Sequence, residues 1–197
     1  MASTTPQLIL ASTSRYRAAL MRRCGYQFDI EPAHVDEKAL PAEPPEQLCT
    51  RLSAEKCGVV ADRHPHAIVV GSDQVGVCDG RVLTKPGSHE AAVDQLRFCT
   101  GKVAVFHTGL AVQWRARNEA TVIEVPTYLQ YRTLSQREIE AYVRLDNPVD
   151  CAGSFKIEEK GTLLFERVTS DDPTALIGLP MLSLHHMLSR FGVTPIN

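Results

Sequence analysis

The sequence predicts an α/β protein with a mixed sheet and flanking helices, and three observations carry that prediction. Short apolar runs such as Leu8-Ile9-Leu10-Ala11 and Ile68-Val69-Val70 have the length and composition of buried strands. Helical patterns opened by capping residues follow them, so strands and helices alternate through the first half of the chain. Two long strand-like stretches, 102–114 and 119–133, then intrude around Arg117-Asn118 and read as an antiparallel pair.

The elements follow in order. Leu8–Ala11 runs into Ser12-Thr13-Ser14, where Ser14 caps a helix carrying Arg17, Ala18, Leu20 and Met21. Pro44-Pro45 opens a second helix from about Glu46 to Asp62, with Leu48, Leu52, Ala54 and Val59 read as its apolar side. Ile68–Asp73 is the clearest strand, and Asp79-Gly80 is a hairpin turn between Val75–Val77 and Arg81–Leu83. Ser88 caps a helix reaching Cys99. After the long pair, Ser135-Gln136-Arg137-Glu138 is a capping box opening a helix with Ile139, Tyr142 and Val143. Residues 162–168 read as a strand, Asp171-Asp172-Pro173 as a turn before a short helix, and 180–191 as a closing helix.

With 197 residues the chain can bury a substantial core. One compact domain over 1–197 is the default, with room for two lobes around a cleft. A formal charge of −2 argues against a nucleic-acid polymer as partner, though a local basic cluster can still hold phosphate. No apolar run approaches the roughly eighteen residues of a membrane span. Met1-Ala2-Ser3-Thr4-Thr5-Pro6 lacks the basic and apolar stretches of a secretory signal. The six cysteines contain no C-x-x-C pair, which disfavours zinc, redox and disulfide roles and makes most of them small buried hydrophobes. The expected location is cytoplasmic.

Two clusters can carry chemistry. Ser12-Thr13-Ser14-Arg15-Tyr16-Arg17 places hydroxyls, backbone N–H groups and a guanidinium at a helix N-terminus, which suits an anion. The plainer reading is a capped helix with a solvated Arg17. Asp73, in Gly71-Ser72-Asp73-Gln74, ends an apolar strand where cleft residues of α/β sheets sit, and suits a general base or a metal ligand. A local turn bond is the alternative. Lys56 and Lys85 can reach phosphates or be surface lysines, and Asp36-Glu37 can ligate magnesium or be solvated. Adjacent His185 and His186 point about 100° apart on a helix, so they are read as structural or surface residues.

Together these motifs resemble the Maf family of nucleoside triphosphate pyrophosphatases. The resemblance rests on Leu-Ala-Ser-x-Ser-x-x-Arg (10–17), Val-Asp-Glu (35–37), Arg-Leu-x-x-Glu-Lys (51–56), Gly-Ser-Asp-Gln (71–74), Lys-Pro (85–86), Tyr-Val (142–143), Cys-Ala-Gly-Ser-Phe (151–155) and Gly-Leu-Pro (178–180). Gly-Ser-Asp-Gln-Val and Cys-Ala-Gly-Ser-Phe-Lys look like the branch that hydrolyses 7-methyl-GTP. The resemblance implies Asp73 as the proton acceptor for attacking water, and Ser12, Ser14, Arg17, Lys56 and Lys85 at phosphate-binding positions. It implies Glu37 and Asp73 near a divalent metal, magnesium or manganese, and Tyr16, Gln74 and Glu158 at positions that choose the substrate. It further implies a deep cleft like that of the inosine triphosphate pyrophosphatases (Maf/Ham1 folds), and a homodimer. Tyr16 stands where that branch commonly has Trp, and Arg15 where Pro is frequent. The rival readings are a dTTP/UTP pyrophosphatase of the sister branch and a non-catalytic nucleotide-binding regulator of cell division.

Overall fold

In the computed structural model of the protein, residues 6–196 are described; most of the N-terminal stretch considered above, residues 1–5, lies outside them. The sheet is mixed and seven-stranded among the described residues, in the order β2-β1-β3-β5-β6-β7 with β4 on β3. Its strands are β1 (Leu8–Leu10), β2 (Asp29–Ile30), β3 (Ile68–Cys78), β4 (Arg81–Leu83), β5 (Val103–Trp114), β6 (Glu119–Tyr131) and β7 (Phe165–Ser170). The helices are α1 (Arg15–Arg23), α2 (Pro45–Arg63), α3 (His89–Cys99), α4 (Gln136–Asp146) and α5 (Met181–Ser189). The chain divides into two compact units, and β3, β5 and β6 each contribute residues to both.

The first unit holds the described residues up to Gln74, Thr108–Val125, and those from Asp172 onward. Here β1 pairs in parallel with both β2 and β3. Alternation along these strands splits the core in two. Leu8, Leu10, Ile68 and Val70 pack with Leu20 and Met21 of α1 and Leu184 and Leu188 of α5. Ile9, Ala11 and Val69 face the other way, onto Cys57, Val60 and Ala61 of α2. Both faces are covered, so these strands read as continuous apolar runs.

The second unit holds Val75–His107 and Pro126–Asp171. Asp79 and Gly80 both have positive φ, at 50° and 73°, as a tight two-residue turn between β3 and β4 requires. A chain of edge-to-face rings, Phe106 to Phe155 to Phe165 to Tyr131, fills this unit, with centroid separations of 5.3, 5.1 and 4.7 Å. Gly153, at φ 77°, lies where a side chain would collide with the Phe106 and Phe155 rings.

Most sequence expectations hold to within two residues. Ser14, Ser88 and Ser135 each cap their helix, and the Ser135–Glu138 capping box is complete. Four differences have physical causes. The stretches 68–73 and 75–77 are one strand, β3. The strand expected at 162–168 begins at Phe165, because the Asp146 carboxylate takes the Lys160 N–H (2.9 Å) and Gly161 N–H reaches Lys156 O (2.9 Å), winding 160–164 into a 3-10 turn. Strand β2 went unseen because two residues carry no period. On α2 the buried face is Cys49, Leu52, Ser53, Lys56, Cys57 and Val60, whereas Val59 is exposed.

Cysteines 49, 57, 78 and 99 are buried, as expected. Burial pushes the Cys49, Cys57 and Cys99 thiols up to about 12, so they stay protonated. His185 bonds the Tyr26 hydroxyl (2.7 Å) and His186 is exposed, matching the structural reading of the pair. No helix of the described residues is long and apolar enough to cross a membrane.

The capping box gives a pH prediction. Hydrogen bonds from Ser135 N–H and hydroxyl, then from Arg132, hold Glu138 at about 2, below its ordinary 4.5. A depressed carboxylate stabilises the fold above its unfolded value and loses that contribution as pH falls through the folded one. Protection factors of the amides at the start of α4, exchange corrected for its intrinsic pH dependence, are therefore expected to fall between pH 4.5 and 2 in the wild type. A Glu138→Gln variant should lack that step.

Candidate active site

The first unit assembles most of the predicted site. The turn after β1 buries Ser12, whose Oγ accepts from Ser14 N–H (3.1 Å) and from Arg17 Nη1 (3.3 Å). Ser14 Oγ in turn accepts from the Arg17 N–H. Hydroxyls and backbone donors thus converge at the N-terminus of α1, where the helix dipole favours an anion.

Arg17 is not a solvated side chain. Its Nε donates to Gly178 O (2.8 Å) and its Nη1 to Ser72 O (2.5 Å). These bonds leave Nη2 without a partner among the described residues. Burial pulls the Arg17 pKa below its ordinary value, and the Asp73 and Glu37 carboxylates pull it back up, so the guanidinium stays charged beside them. Ser72, fully buried, shares its hydroxyl between Gly109 O (2.7 Å) and Gly178 O (2.8 Å). The residue on each side of the Arg17 anchor is therefore fixed, and the next one is Asp73.

Asp73 and Lys56 form a buried pair, with Lys56 Nζ at 2.6 Å from Asp73 Oδ1. Glu37 Oε1, on a more exposed side chain, lies 2.7 Å from the same ammonium. Lys56 reaches β3 because α2 rides unusually close to the sheet: Gly71 and Gly109 sit against Cys49, Ser53 and Cys57, leaving no room for a Cβ. The loop bearing Glu37 is clamped onto α2 by Arg51. Its Nε and Nη2 grip Glu43 at 2.6 and 2.8 Å, and Nη2 also reaches Lys38 O. Glu43 sits at about 2, held down chiefly by that Arg51 bond.

Two carboxylates on one ammonium show that this spot favours positive charge. Among the described residues no three His, Cys, Asp or Glu side chains come together as a metal cage. Magnesium commonly takes one or two carboxylates and completes its shell with phosphate oxygens and water. Glu37 and Asp73 fit that pattern for a cation arriving with a phosphate.

The specificity candidates are spread more widely. Tyr16, on the first turn of α1, receives a bond from Arg15 Nη2 (2.8 Å), and the Arg15 guanidinium lies 4.9 Å from its ring centroid. Gln74 turns its Nε2 inward, to Thr108 Oγ1, Ala175 O and Leu176 O. Lys85 and Glu158 belong to the second unit, and both are exposed.

Sequence reasoning missed the residues that hold those two in place. Gln95, buried on α3, pairs with the Thr84 backbone through both amide atoms (3.2 and 3.0 Å) and bonds Ser154 Oγ (2.7 Å), fixing the turn into Lys85. Asp146 and the Tyr142 hydroxyl receive the Lys160 and Lys156 N–H groups, bracketing the turn that carries Glu158. The motifs Tyr-Val and Cys-Ala-Gly-Ser-Phe were visible, but their bonding partners lie elsewhere in the chain.

The mixed α/β fold is one that a solved structure shares. It aligns with the "Structure of a HAM1 protein from Coxiella burnetii" at a TM-score of 0.51, covering 94% of this chain and 99% of that one at 11% identity. The chain belongs to the Maf family: the family described as Maf-like protein matches residues 7–191. Relatives named 7-methyl-GTP pyrophosphatase include one from Idiomarina loihiensis, 44% identical over 98% of each chain. Another, from Bordetella avium, is 46% identical over 97% of this chain and 96% of its own.

Proposed function

We propose that the protein is a nucleoside triphosphate pyrophosphatase acting on 7-methyl-GTP, giving 7-methyl-GMP and pyrophosphate. The observation that carries this is the buried Lys56–Asp73 pair, with Glu37 beside it, on the part of β3 that Arg17 ties to the α1 N-terminus. The names of the 7-methyl-GTP pyrophosphatase relatives support the choice of substrate.

Asp73 has one oxygen committed to Lys56, while Oδ2 has no partner among the described residues. That geometry directs the carboxylate, with a lone pair of Oδ2 for the water's proton. The new bond joins the water oxygen to the α-phosphorus. The electron pair of the broken anhydride bond leaves with pyrophosphate. Ser12, Ser14, Arg17, Lys56 and Lys85 supply donors and positive charge for the phosphate oxygens, where charge develops in the transition state. A divalent cation held by Glu37 and Asp73 would neutralise the leaving pyrophosphate. The substrate is a free nucleotide, and the site of action is the cytoplasm.

Lys85→Ala is expected to lower turnover on every triphosphate by a similar factor, because it touches phosphate and not the base. Arg17→Ala should cost more, since it also takes the Arg17 donor from Ser72 O and one of two donors from Gly178 O. A base-dependent loss at Lys85 would show it misplaced.

Base choice falls to Tyr16, Gln74 and Glu158. A carboxylate at Glu158 matches the N1–H and amino donors of guanine, while dTTP and UTP present carbonyls beside their single N–H. Glu158→Gln is expected to shrink the preference for guanine by about ten- to a hundred-fold, the roughly 1–3 kcal/mol of a polar mismatch. Tyr16→Ala should hurt the cationic 7-methylguanine more than plain guanine, because only the former gains a cation–π contact. The test is pyrophosphate release from 7-methyl-GTP, GTP, dTTP and UTP, with and without magnesium. Faster release from dTTP or UTP than from 7-methyl-GTP would move the protein to the sister activity.

A further inference from the structure

The side-chain amide of Gln74 faces three groups in the first unit: Thr108 Oγ1 at 2.9 Å, Ala175 O at 2.9 Å and Leu176 O at 3.3 Å. Two of them are backbone carbonyls, which only accept. The third is a hydroxyl whose single proton is already given to Ala175 O, 3.0 Å away, so towards Gln74 it too can only accept. All three therefore demand N–H donors, and Nε2 has two to share among them. An amide turned the other way would set Oε1 against three oxygen lone pairs. Thr108 is completely buried, so water cannot relieve that conflict at its hydroxyl.

The consequence falls on the other end of the amide. Gln74 is half-buried, and Oε1 has no partner among the described residues. Gln74 follows Asp73 directly on β3, one step along the strand from the proposed chemistry, with its side chain on the opposite face of the sheet from the Asp73 carboxylate.

The geometry points to Thr108 as a positioning residue: with the Ala175 and Leu176 carbonyls, it fixes the Gln74 amide so that only the acceptor Oε1 is offered to a nucleobase. The site then favours a base edge with adjacent donors, as in guanine and 7-methylguanine, over one with carbonyls flanking a single N–H, as in uracil and thymine. A free glutamine offers either face and discriminates little; a locked one discriminates because the wrong edge meets lone pairs. This inference rests on the nucleotide reading above, and names a residue that does not itself touch the base.

The experiment compares wild type, Thr108→Val, which keeps the shape and removes the hydroxyl, and Thr108→Ser, which restores it. The first readout is NMR hydrogen exchange of the Gln74 side-chain amide, identified by its disappearance in Gln74→Met. The second is kcat and KM for 7-methyl-GTP, GTP, UTP and dTTP. Thr108→Val is expected to speed the amide exchange at least about ten-fold and to cut the GTP-over-UTP ratio of kcat/KM by a similar factor, mainly through KM. Thr108→Ser should recover both. Unchanged exchange and unchanged ratio in Thr108→Val overturn the lock. Faster exchange with an unchanged ratio makes Gln74 a brace for residues 175–176 and overturns its role in base choice. If wild type hydrolyses none of the four triphosphates, the nucleotide reading and the base-choice role fail together, while the exchange readout still decides whether the lock exists.

Discussion

Asp73→Asn is expected to bind nucleotide and to lose hydrolysis by about a hundred- to ten-thousand-fold, the usual cost of removing a general base. The amide keeps the size of the carboxylate and, through its oxygen, a bond to Lys56. It cannot take a proton from water at the position of Oδ2. The backbone there is fixed independently of the side chain, by Ser72 to Gly109 and Gly178 and by Arg17 to Ser72. The variant should therefore fold. Calorimetric affinity for a non-hydrolysable triphosphate, with single-turnover pyrophosphate release, separates the two effects. Hydrolysis near the wild-type rate removes Asp73 from the mechanism, and lost binding with normal folding makes its role one of holding charge.

Much of this site was legible because its anchors are local. Ser14 capping α1 and Ser135 boxing α4 depend on neighbours within a few residues, and Asp73 follows a local apolar run, although it lies in the middle of β3 and not at its end. What stayed hidden depends on partners far along the chain. Lys56 taken alone suits the surface, because lysines are seldom buried. Its partner Asp73 is seventeen residues away on another element, and only the pair makes burial tolerable. Arg17 was likewise open to a solvated reading until Gly178, 161 residues on, supplied its acceptor. The face of α2 was misassigned for a different reason. Hydrophobic periodicity looks for large apolar side chains, whereas this helix buries Cys49, Ser53 and Cys57, small enough to lie against strand glycines. A close-packed helix face can be weakly hydrophobic, and the matching signal was in the strands, as Gly71 and Gly109 in otherwise apolar runs.

Those glycines give the second large effect. Gly71→Ala is expected to destabilise the fold by about 3 kcal/mol and to cut hydrolysis even where the protein remains folded. A Cβ built on Gly71 overlaps Ser53 O and lies 2.8 Å from both Cβ and N of Cys57. Two of those three atoms are α2 backbone, so no rotamer change relieves the overlap, and the helix must move off β3. Ser53 and Cys57 bracket Lys56 just over one turn apart, so that movement also carries the ammonium away from Asp73. Cβ strain at Gly71 does not arise from the dihedral, since its φ is not in the left-handed region. Urea unfolding measures the stability loss. Pyrophosphate release per folded molecule, well below the unfolding midpoint, measures the displacement of Lys56. Wild-type turnover in a destabilised Gly71→Ala would show that Lys56 tolerates the shift and that its distance from Asp73 is not what sets the rate.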